Sequence, residues 1–271
     1  MAATLDTRRA GSVLHVILNQ PHTRNALSAQ MVEELRELAA QCAPDASLRC
    51  IVLRGAGGNF CAGGNFSDFQ RLMQSKPEDG GADPIAAANR AFGSMLQAWQ
   101  ALPQVVVSVV EGAAMGGGIG LVAVSDVCLA ESGAQLGMPE AGLGLPPAQI
   151  APFVALRIGA ARTRRLALTA ARLTAAQACA LGLVDEVHEG ANALSIALGK
   201  TLDAVLRCAP GALRSTKAIL ASGGGLDAAL DFAAGEFARA LRNGDAAEGV
   251  RAFAEKRPAA WVEQQASLPT G

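Results

Sequence analysis

The sequence predicts an α/β fold with a parallel sheet in its first half and a largely helical second half. In the first half, short runs rich in β-branched residues alternate with amphipathic segments of helix length, which is typical of parallel strands joined by helices. Beyond Gln149 helix-forming residues predominate, with turns at glycine and proline. The chain of 271 residues is long enough for one large domain or two small ones.

Local signals predict the individual elements of the first half. Val13–Asn19 alternates as a strand, and Ser28 is placed to cap a helix over Ala29–Cys42. Cys50–Arg54 is predicted to form a second buried strand. In chain order, the sequence then predicts a helix starting near Phe66, a loop at Lys76–Pro84, a helix at Ile85–Leu102, strands starting at Val105 and Asp126, a loop at Leu136–Pro147 and a short strand at Val184–Val187.

The stretch Val105–Asp126 combines a buried strand, a glycine-rich turn and a small-residue helix. The turn runs from Gly112 to Gly118, and the helix is predicted over Ile119–Val124. Glycine lets the backbone approach a ligand closely, and the first amides of a helix have no partner within it. The turn is therefore a candidate site for an anion or an oxyanion. The dinucleotide pattern G-x-G-x-x-G is not met, because Leu121 stands in place of the third glycine.

A second glycine turn, Ala62-Gly63-Gly64, also follows a predicted strand and precedes a predicted helix. Two backbone N–H groups from the two turns could converge on one carbonyl oxygen and stabilise the negative charge that develops there. A nucleophilic enzyme is poorly supported, because G-x-S-x-G is absent and Cys61 has no histidine nearby in sequence.

Glu140 is the carboxylate best placed to act as an acid or base. It lies in a Gly- and Pro-rich loop with apolar neighbours, and burial there would raise its pKa toward neutrality. Taken alone, a loop glutamate more often caps a turn or pairs with an arginine.

Composition excludes several classes of protein. A net charge of −1 argues against nucleic-acid binding. No membrane span and no apolar signal core are apparent, so we expect a cytoplasmic protein. The six cysteines are scattered without a C-x-x-C pair and the three histidines are far apart, so no metal site is expected.

Together these motifs resemble the enoyl-CoA hydratase/isomerase family, or crotonase superfamily, over nearly the whole chain. The resemblance implies a crotonase-like spiral of ββα units over residues 1–200. It also implies a helical C-terminal part over residues 201–271 that builds a homotrimer or a dimer of trimers. The segments that carry it are Pro21–Ala26, Phe60–Gly64, Gly112–Gly118, Gly137–Glu140, Ala180–Glu186 and Glu248–Arg257.

The resemblance also implies roles for single residues. The backbone N–H groups of Ala62 and Gly117 would form the oxyanion hole for a thioester carbonyl, with Glu140 as acid and base. No cofactor is implied, since coenzyme A arrives as part of the acyl-CoA substrate. The substrate-binding positions that the resemblance implies are Arg24, Ala26, Ala62, Gly64, Gly117, Gly120, Phe237, Phe253 and Lys256.

One position departs from the family pattern. Typical hydratases use two glutamates, and the first of them falls on Gly120 here. One carboxylate could still do both jobs in a hydratase, which is the prediction we favour. It could instead shuttle one proton in an enoyl-CoA isomerase, serve other crotonase chemistry such as C–C cleavage, or belong to a catalytically silent acyl-CoA-binding paralogue.

The run Gly142–Pro152, together with Gly120, is similar to hydratases of branched glutaconyl-CoA thioesters, such as the isohexenylglutaconyl-CoA hydratase of acyclic terpene breakdown. Gly120 would then make room for a branched acyl chain. Arg71 or Arg90 could bind the distal carboxylate, although solvated helix charges are the simpler interpretation. By location alone, Asp68 and Glu78 are candidates for a second acid or base.

Overall fold

The computed structural model describes residues 3–76 and 83–262. Its strands are β1 (Leu5–Ala10), β2 (Val13–Leu18), β3 (Cys50–Gly55), β4 (Val105–Val110), β5 (Ala113–Met115), β6 (Val127–Glu131), β7 (Gln135–Gly137), β8 (Arg172–Thr174) and β9 (Glu186–His188). Its helices are α1 (Ala29–Cys42), α2 (Phe66–Gln74), α3 (Pro84–Gln100), α4 (Gly117–Ala123), α5 (Ala151–Ile158), α6 (Ala160–Leu168), α7 (Ala175–Leu181), α8 (Gly190–Arg207), α9 (Pro210–Ala221), α10 (Leu226–Asn243) and α11 (Ala246–Ala254).

The strands form two sheets. The larger sheet has the order β1-β2-β3-β4-β6-β9, in which only the β1–β2 pair is antiparallel. The smaller sheet has the order β5-β7-β8, with β5 and β7 parallel and β8 antiparallel. The predicted α/β class is confirmed, and the central strand β4 is buried along its whole length, as its β-branched run predicts.

The helix predicted over Ala29–Cys42 has those bounds in the structure, and Ser28 Oγ accepts a hydrogen bond from the Met31 amide at 3.2 Å. The helix α3 lies against it, and Trp99 Nε1 donates to Leu35 O at 3.0 Å. The two helices cover one face of the larger sheet with apolar side chains, which makes this face the main core. This core includes Cys61, which directly precedes one glycine turn, and Ala114, which lies within the other.

The glycine-rich turn contains a strand that the sequence prediction missed. Gly112 and Gly116 have φ values of 56° and 51°, so the chain bends at both ends of β5. Between them, β5 pairs with β7, and α4 begins at Gly117 rather than at the predicted Ile119. The predicted loop Leu136–Pro147 likewise begins inside β7 and continues as a single 3₁₀ turn at Glu140–Leu143.

The C-terminal helices are attached to the core by buried and half-buried cations. Arg49 is 7% exposed, and its guanidinium donates to Trp261 O at 2.7 Å and to Leu206 O at 3.0 Å. From α9, Lys217 Nζ donates to Gln104 O at 2.7 Å and also pairs with Asp126. The division at residues 200 and 201 falls inside α8 and stays a prediction.

None of the helices in the described residues has the length and apolar character needed to cross a bilayer. The predicted loop at Lys76–Pro84 lies mostly outside the described residues. Glu78, a candidate for a second acid or base, also lies outside them.

Candidate active site

The two glycine turns and Glu140 meet at one place. A Cβ atom built on Gly116 would lie 2.7 Å from Glu140 Oε1 and 3.7 Å from Gly63 Cα. A Cβ atom built on Gly63 would lie 3.2 Å from Met115 O, so the turns touch each other directly. The tertiary structure therefore brings together the two glycine turns and Glu140, which are up to about 80 residues apart in the sequence. An oxyanion site with an acid or base requires such groups to lie close together.

The Glu140 carboxyl group is held in an environment that disfavours its charge. Its Oε2 atom is buried and has no hydrogen-bond partner among the described residues. Burial raises the pKa of Glu140, and a hydrogen bond from its own backbone opposes that shift only in part. Its proton affinity is thus higher than that of an ordinary glutamate, which is the direction of shift that a general acid and base needs.

Ala62 cannot serve as the oxyanion donor in this geometry. Its N–H donates to Arg24 O at 2.9 Å, so the amide points toward the Arg24 loop and is already used. The prediction for the Ala62 N–H is therefore wrong. The sequence shows which loop is rich in glycine, but the direction of each N–H is set by a partner about 40 residues away.

Gly64, on the same turn, is the alternative candidate donor. Leu27 N donates to Gly63 O at 2.7 Å and Asn65 N donates to Leu27 O at 3.2 Å, which is the pattern of a parallel bridge centred on Gly64. In such a bridge the Gly64 N–H points away from Leu27. Within the described parts of the chain it donates to no protein acceptor.

The Gly117 amide is the second available donor. It is in the first turn of α4, where amides have no partner inside the helix, and no protein acceptor is bonded to it in the described residues. Gly64 and Gly117 directly follow Gly63 and Gly116, the two residues in contact at the centre of the site. The arrangement can present two N–H groups and one carboxyl group to a single acyl group.

Gly120 does not open onto free space. A Cβ atom built there would lie 2.9 Å from Leu96 Cδ1, 3.3 Å from Leu96 Cδ2 and 3.5 Å from Phe92 Cζ. The predicted room for a branched chain at Gly120 is therefore filled by two side chains of α3. The missing glutamate is replaced by apolar packing, since Leu96 itself is fully buried.

Asp68 has a structural role at the beginning of α1. Its Oδ2 accepts from the Ala29 amide at 2.8 Å, and its Oδ1 accepts from Arg71 at 2.9 Å. Arg90 donates to Ser94 Oγ at 2.8 Å on its own helix. Both oxygens of Asp68 are thus engaged by Ala29 and Arg71, and the two arginines are exposed helix charges, as in the simpler interpretation above.

Cys61 is excluded as a nucleophile by its surroundings. The side chain is fully buried, and burial raises the pKa of the thiol to about 12. The group therefore stays protonated near neutral pH.

The predicted coenzyme A positions fall into two sets. Arg24 is exposed on the loop next to the site with φ 54°, and Ala26 is buried behind it. On the C-terminal helices, Phe237 is 68% exposed and Phe253 is 88% exposed. Lys256, with φ 54°, is also exposed. All of these side chains except Ala26 are exposed, and their contacts with coenzyme A stay predictions.

Asn25 is a positioning residue that the sequence analysis did not single out. It is fully buried, and its Nδ2 donates to Ala56 O at 2.9 Å and to Asn59 O at 2.7 Å. Its Oδ1 accepts from the Gln20 amide at 2.9 Å. Its side chain thereby fastens the Arg24 loop to the segment that leads into the Gly64 turn. Its place inside the Pro21–Ala26 motif was the available signal.

The mixed α/β architecture with a helical C-terminal part is the crotonase fold. The chain belongs to the enoyl-CoA hydratase/isomerase family, whose model matches residues 8–264. It is an enzyme of that family, which acts on acyl-CoA thioesters.

Similar proteins include two solved structures and one curated relative. An enoyl-CoA hydratase/isomerase from Marinobacter aquaeolei is 45% identical with a TM-score of 0.92, covering 97% of this chain and 100% of that chain. AtuE from Pseudomonas aeruginosa is 47% identical with a TM-score of 0.91, covering 96% of this chain and 100% of that chain. The enoyl-CoA hydratase EchA19 from Mycobacterium tuberculosis is 32% identical over 254 residues, which is 92% of each protein.

Proposed function

We propose that this enzyme is a hydratase, which adds water to the double bond of a 2-enoyl-CoA thioester. The proposal is carried by one observation: the Glu140 carboxyl group lies against the contact between the two glycine turns. Its pKa is raised, and its buried Oε2 has no hydrogen-bond partner in the part of the chain that the structure describes. In this proposal the amides of Gly64 and Gly117 bind the thioester oxygen.

One carboxylate is sufficient for both proton transfers. Ionised Glu140 removes a proton from water while the oxygen of that water forms a bond to C3 of the acyl group. The electron pair of the double bond moves toward the thioester oxygen, where the two amides stabilise the enolate. Glu140, now protonated, returns the proton to C2 and is ionised again. The sum is the addition of one water molecule, with hydrogen and hydroxyl delivered to the same face.

The finer proposal is a branched glutaconyl-CoA substrate, as in acyclic terpene breakdown. Its support is the similarity of the Gly142–Pro152 run to hydratases of such thioesters. Gly120 adds no support, because Leu96 and Phe92 fill the space beside it. Arg71 and Arg90 lie exposed and bonded to neighbours on their own helices, so neither supports this proposal as the cation for the distal carboxylate.

An enoyl-CoA isomerase is the second candidate, because a specific feature favours it. Leu96 and Phe92 surround the position of the missing carboxylate with apolar groups. Moving a double bond requires one base that shuttles one proton, and no water has to be bound. Glu140 alone could perform that reaction in the same oxyanion site.

The two candidate reactions differ in whether the product gains an oxygen atom from water. The purified enzyme is incubated in water labelled with oxygen-18 with crotonyl-CoA, a 3-enoyl-CoA or 3-methylglutaconyl-CoA. We expect the gain of one labelled water by a 2-enoyl thioester, and above all by the branched glutaconyl substrate. Conversion of the 3-enoyl into the 2-enoyl thioester with neither label nor mass gain would instead make the enzyme an isomerase.

The pH dependence of kcat/KM should report the raised pKa of Glu140. The base must be ionised to start the reaction, so kcat/KM should rise with pH through the pKa of the folded protein and be lost below it. We expect the acid limb above the ordinary glutamate value of about 4.3. A profile of kcat/KM from acid to neutral pH measures it. An acid limb at or below that ordinary value would contradict the assignment.

For the remaining positions we propose that Arg24 and Ala26 contact coenzyme A, with Phe237, Phe253 and Lys256 reaching it from the C-terminal helices. A lysine suits the phosphates of that ligand. A homotrimer or dimer of trimers, a cytoplasmic location and the absence of any cofactor are parts of the same proposal.

A further inference from the structure

One aromatic ring lies beside both glycines on the inner face of α4. The Cζ atom of Phe92 would be 3.4 Å from a Cβ atom on Gly117 and 3.5 Å from a Cβ atom on Gly120. Positions 117 and 120 share a helix face, and so do positions 92 and 96 on the facing helix α3. The tip of the Phe92 ring therefore lies directly next to the residue whose amide is the proposed oxyanion donor.

Phe92 differs from its neighbour in how it is packed. Leu96, one turn further along α3, is fully buried and is part of the core. Phe92 is only partly buried and packs against the edge of that core. A ring in this position can be shortened without opening a cavity in the centre of the core, while the space next to Gly117 changes directly.

We infer that Phe92 determines which acyl groups the enzyme accepts, by limiting the size of the substituent on C3. The inference rests on the proposed function, in which the Gly117 amide holds the thioester oxygen. C3 is two bonds from the thioester carbon, so its substituents must lie close to the groups around Gly117. Those groups are the Phe92 ring and Leu27, whose Cδ1 lies 2.7 Å from a Cβ atom built on Gly117.

The side chains around Gly117 and Gly120 determine the chemical class of the C3 substituent. Phe92, Leu96 and Leu27 offer neither a hydrogen-bond donor nor a charge, so a carboxylate placed against them would lose its hydration without compensation. The substituent that contacts Phe92 is therefore a hydrocarbon branch. A carboxylate on a doubly substituted C3 would have to lie on the other side, away from α3.

The test compares the binding of two saturated thioesters that cannot react by hydration. Butyryl-CoA carries only a methyl group on C3, and 3-phenylpropanoyl-CoA carries a phenyl group there. Dissociation constants are measured by calorimetry for the wild type and for Phe92→Ala. We expect the ratio of the two constants to shift by on the order of 10-fold toward the bulky ligand, since one well-placed apolar contact discriminates at about that level.

A second variant and a matched control complete the experiment. Phe92→Leu should shift the ratio in the same direction by a smaller factor, and it serves if the alanine variant does not fold. Ile85→Ala, on an exposed part of the same helix, should leave the ratio unchanged.

The inference and the proposed function fail in different ways. A folded Phe92→Ala or Phe92→Leu variant with the wild-type ratio would overturn the role of Phe92. A shifted ratio in an enzyme that hydrates none of the enoyl thioesters would support that role and remove the hydratase proposal instead.

Discussion

Replacing Glu140 with glutamine is expected to lower kcat by about 10²- to 10⁴-fold, the usual contribution of a general acid–base group. Glutamine keeps the shape of the side chain but cannot remove a proton from water. Binding of butyryl-CoA should stay within a few-fold of the wild type, because the proposed amide donors belong to the backbone. The measurements are kcat with the best enoyl thioester and the dissociation constant of butyryl-CoA.

Two further variants test whether the loss of activity is specific to the carboxyl group of Glu140. Glu37→Gln, at an exposed position of α1, should keep full activity. Glu140→Asp keeps a carboxyl group but withdraws it from Gly116, so it should retain more activity than the glutamine variant. A fully active Glu140→Gln enzyme would end the assignment, and a wild type with no turnover on any thioester would indicate a silent binding protein.

The same substitution should change stability in a direction that depends on pH. The folded-state pKa of Glu140 is raised, so its contribution to the free energy of unfolding is most favourable below the unfolded-state pKa. That contribution is lost as pH rises through the folded-state pKa. Relative to the wild type, the Tm of Glu140→Gln should therefore increase from acid to neutral pH, which also separates lost activity from misfolding.

Replacing Gly120 with glutamate is expected to destabilise the fold rather than to restore an ordinary hydratase site. The new Cβ would lie 2.9 Å from Leu96 Cδ1, and the carboxyl group would follow it toward the Leu96 and Phe92 side chains. Overpacking a core typically costs about 1–3 kcal/mol, and a carboxylate without a partner adds to that cost. Urea denaturation at neutral pH measures the loss.

The chain offers a matched control for this change. Gly235 is also in a helix, α10, but a Cβ atom built there meets nothing within 4 Å. Gly235→Glu should be neutral or stabilising, since an interior helical glycine costs about 1 kcal/mol relative to alanine. Leu96→Ala combined with Gly120→Glu should recover part of the lost stability. If Gly120→Glu alone matched the wild type, the packing explanation for Gly120 would be wrong.

The elements that could be predicted from the sequence are those with local causes. The helix over Ala29–Cys42 begins at its predicted residue, because Ser28 caps it and its apolar residues repeat with a helical period. The strand at Val105 and the glycine turn after it are equally visible, since burial on both sides leaves a continuous β-branched run.

Several of the elements that were missed depend on distant partners. The three-residue strands β5, β7 and β8 are too short for any period to show, and they exist because Ala114 pairs with Leu136 and Leu136 with Leu173. The predicted strand at Val184–Val187 is found at Glu186–His188, so it begins two residues later than predicted, where β9 pairs with β6. Pairing across such separations leaves no mark in a short window of sequence.

The sequence by itself determined the family, the α/β class, the two glycine turns and the one carboxylate, because each depends on which residue types stand at which spacing. The tertiary structure alone decided that the Ala62 amide is bonded to Arg24 O, that the Gly64 amide is available, and that Leu96 and Phe92 fill the space beside Gly120. The physical reason is that the sequence gives the chemistry of each residue but not its orientation. The direction of an N–H bond, and the space that a side chain at a glycine would meet, are fixed only by the atoms that the fold places beside them.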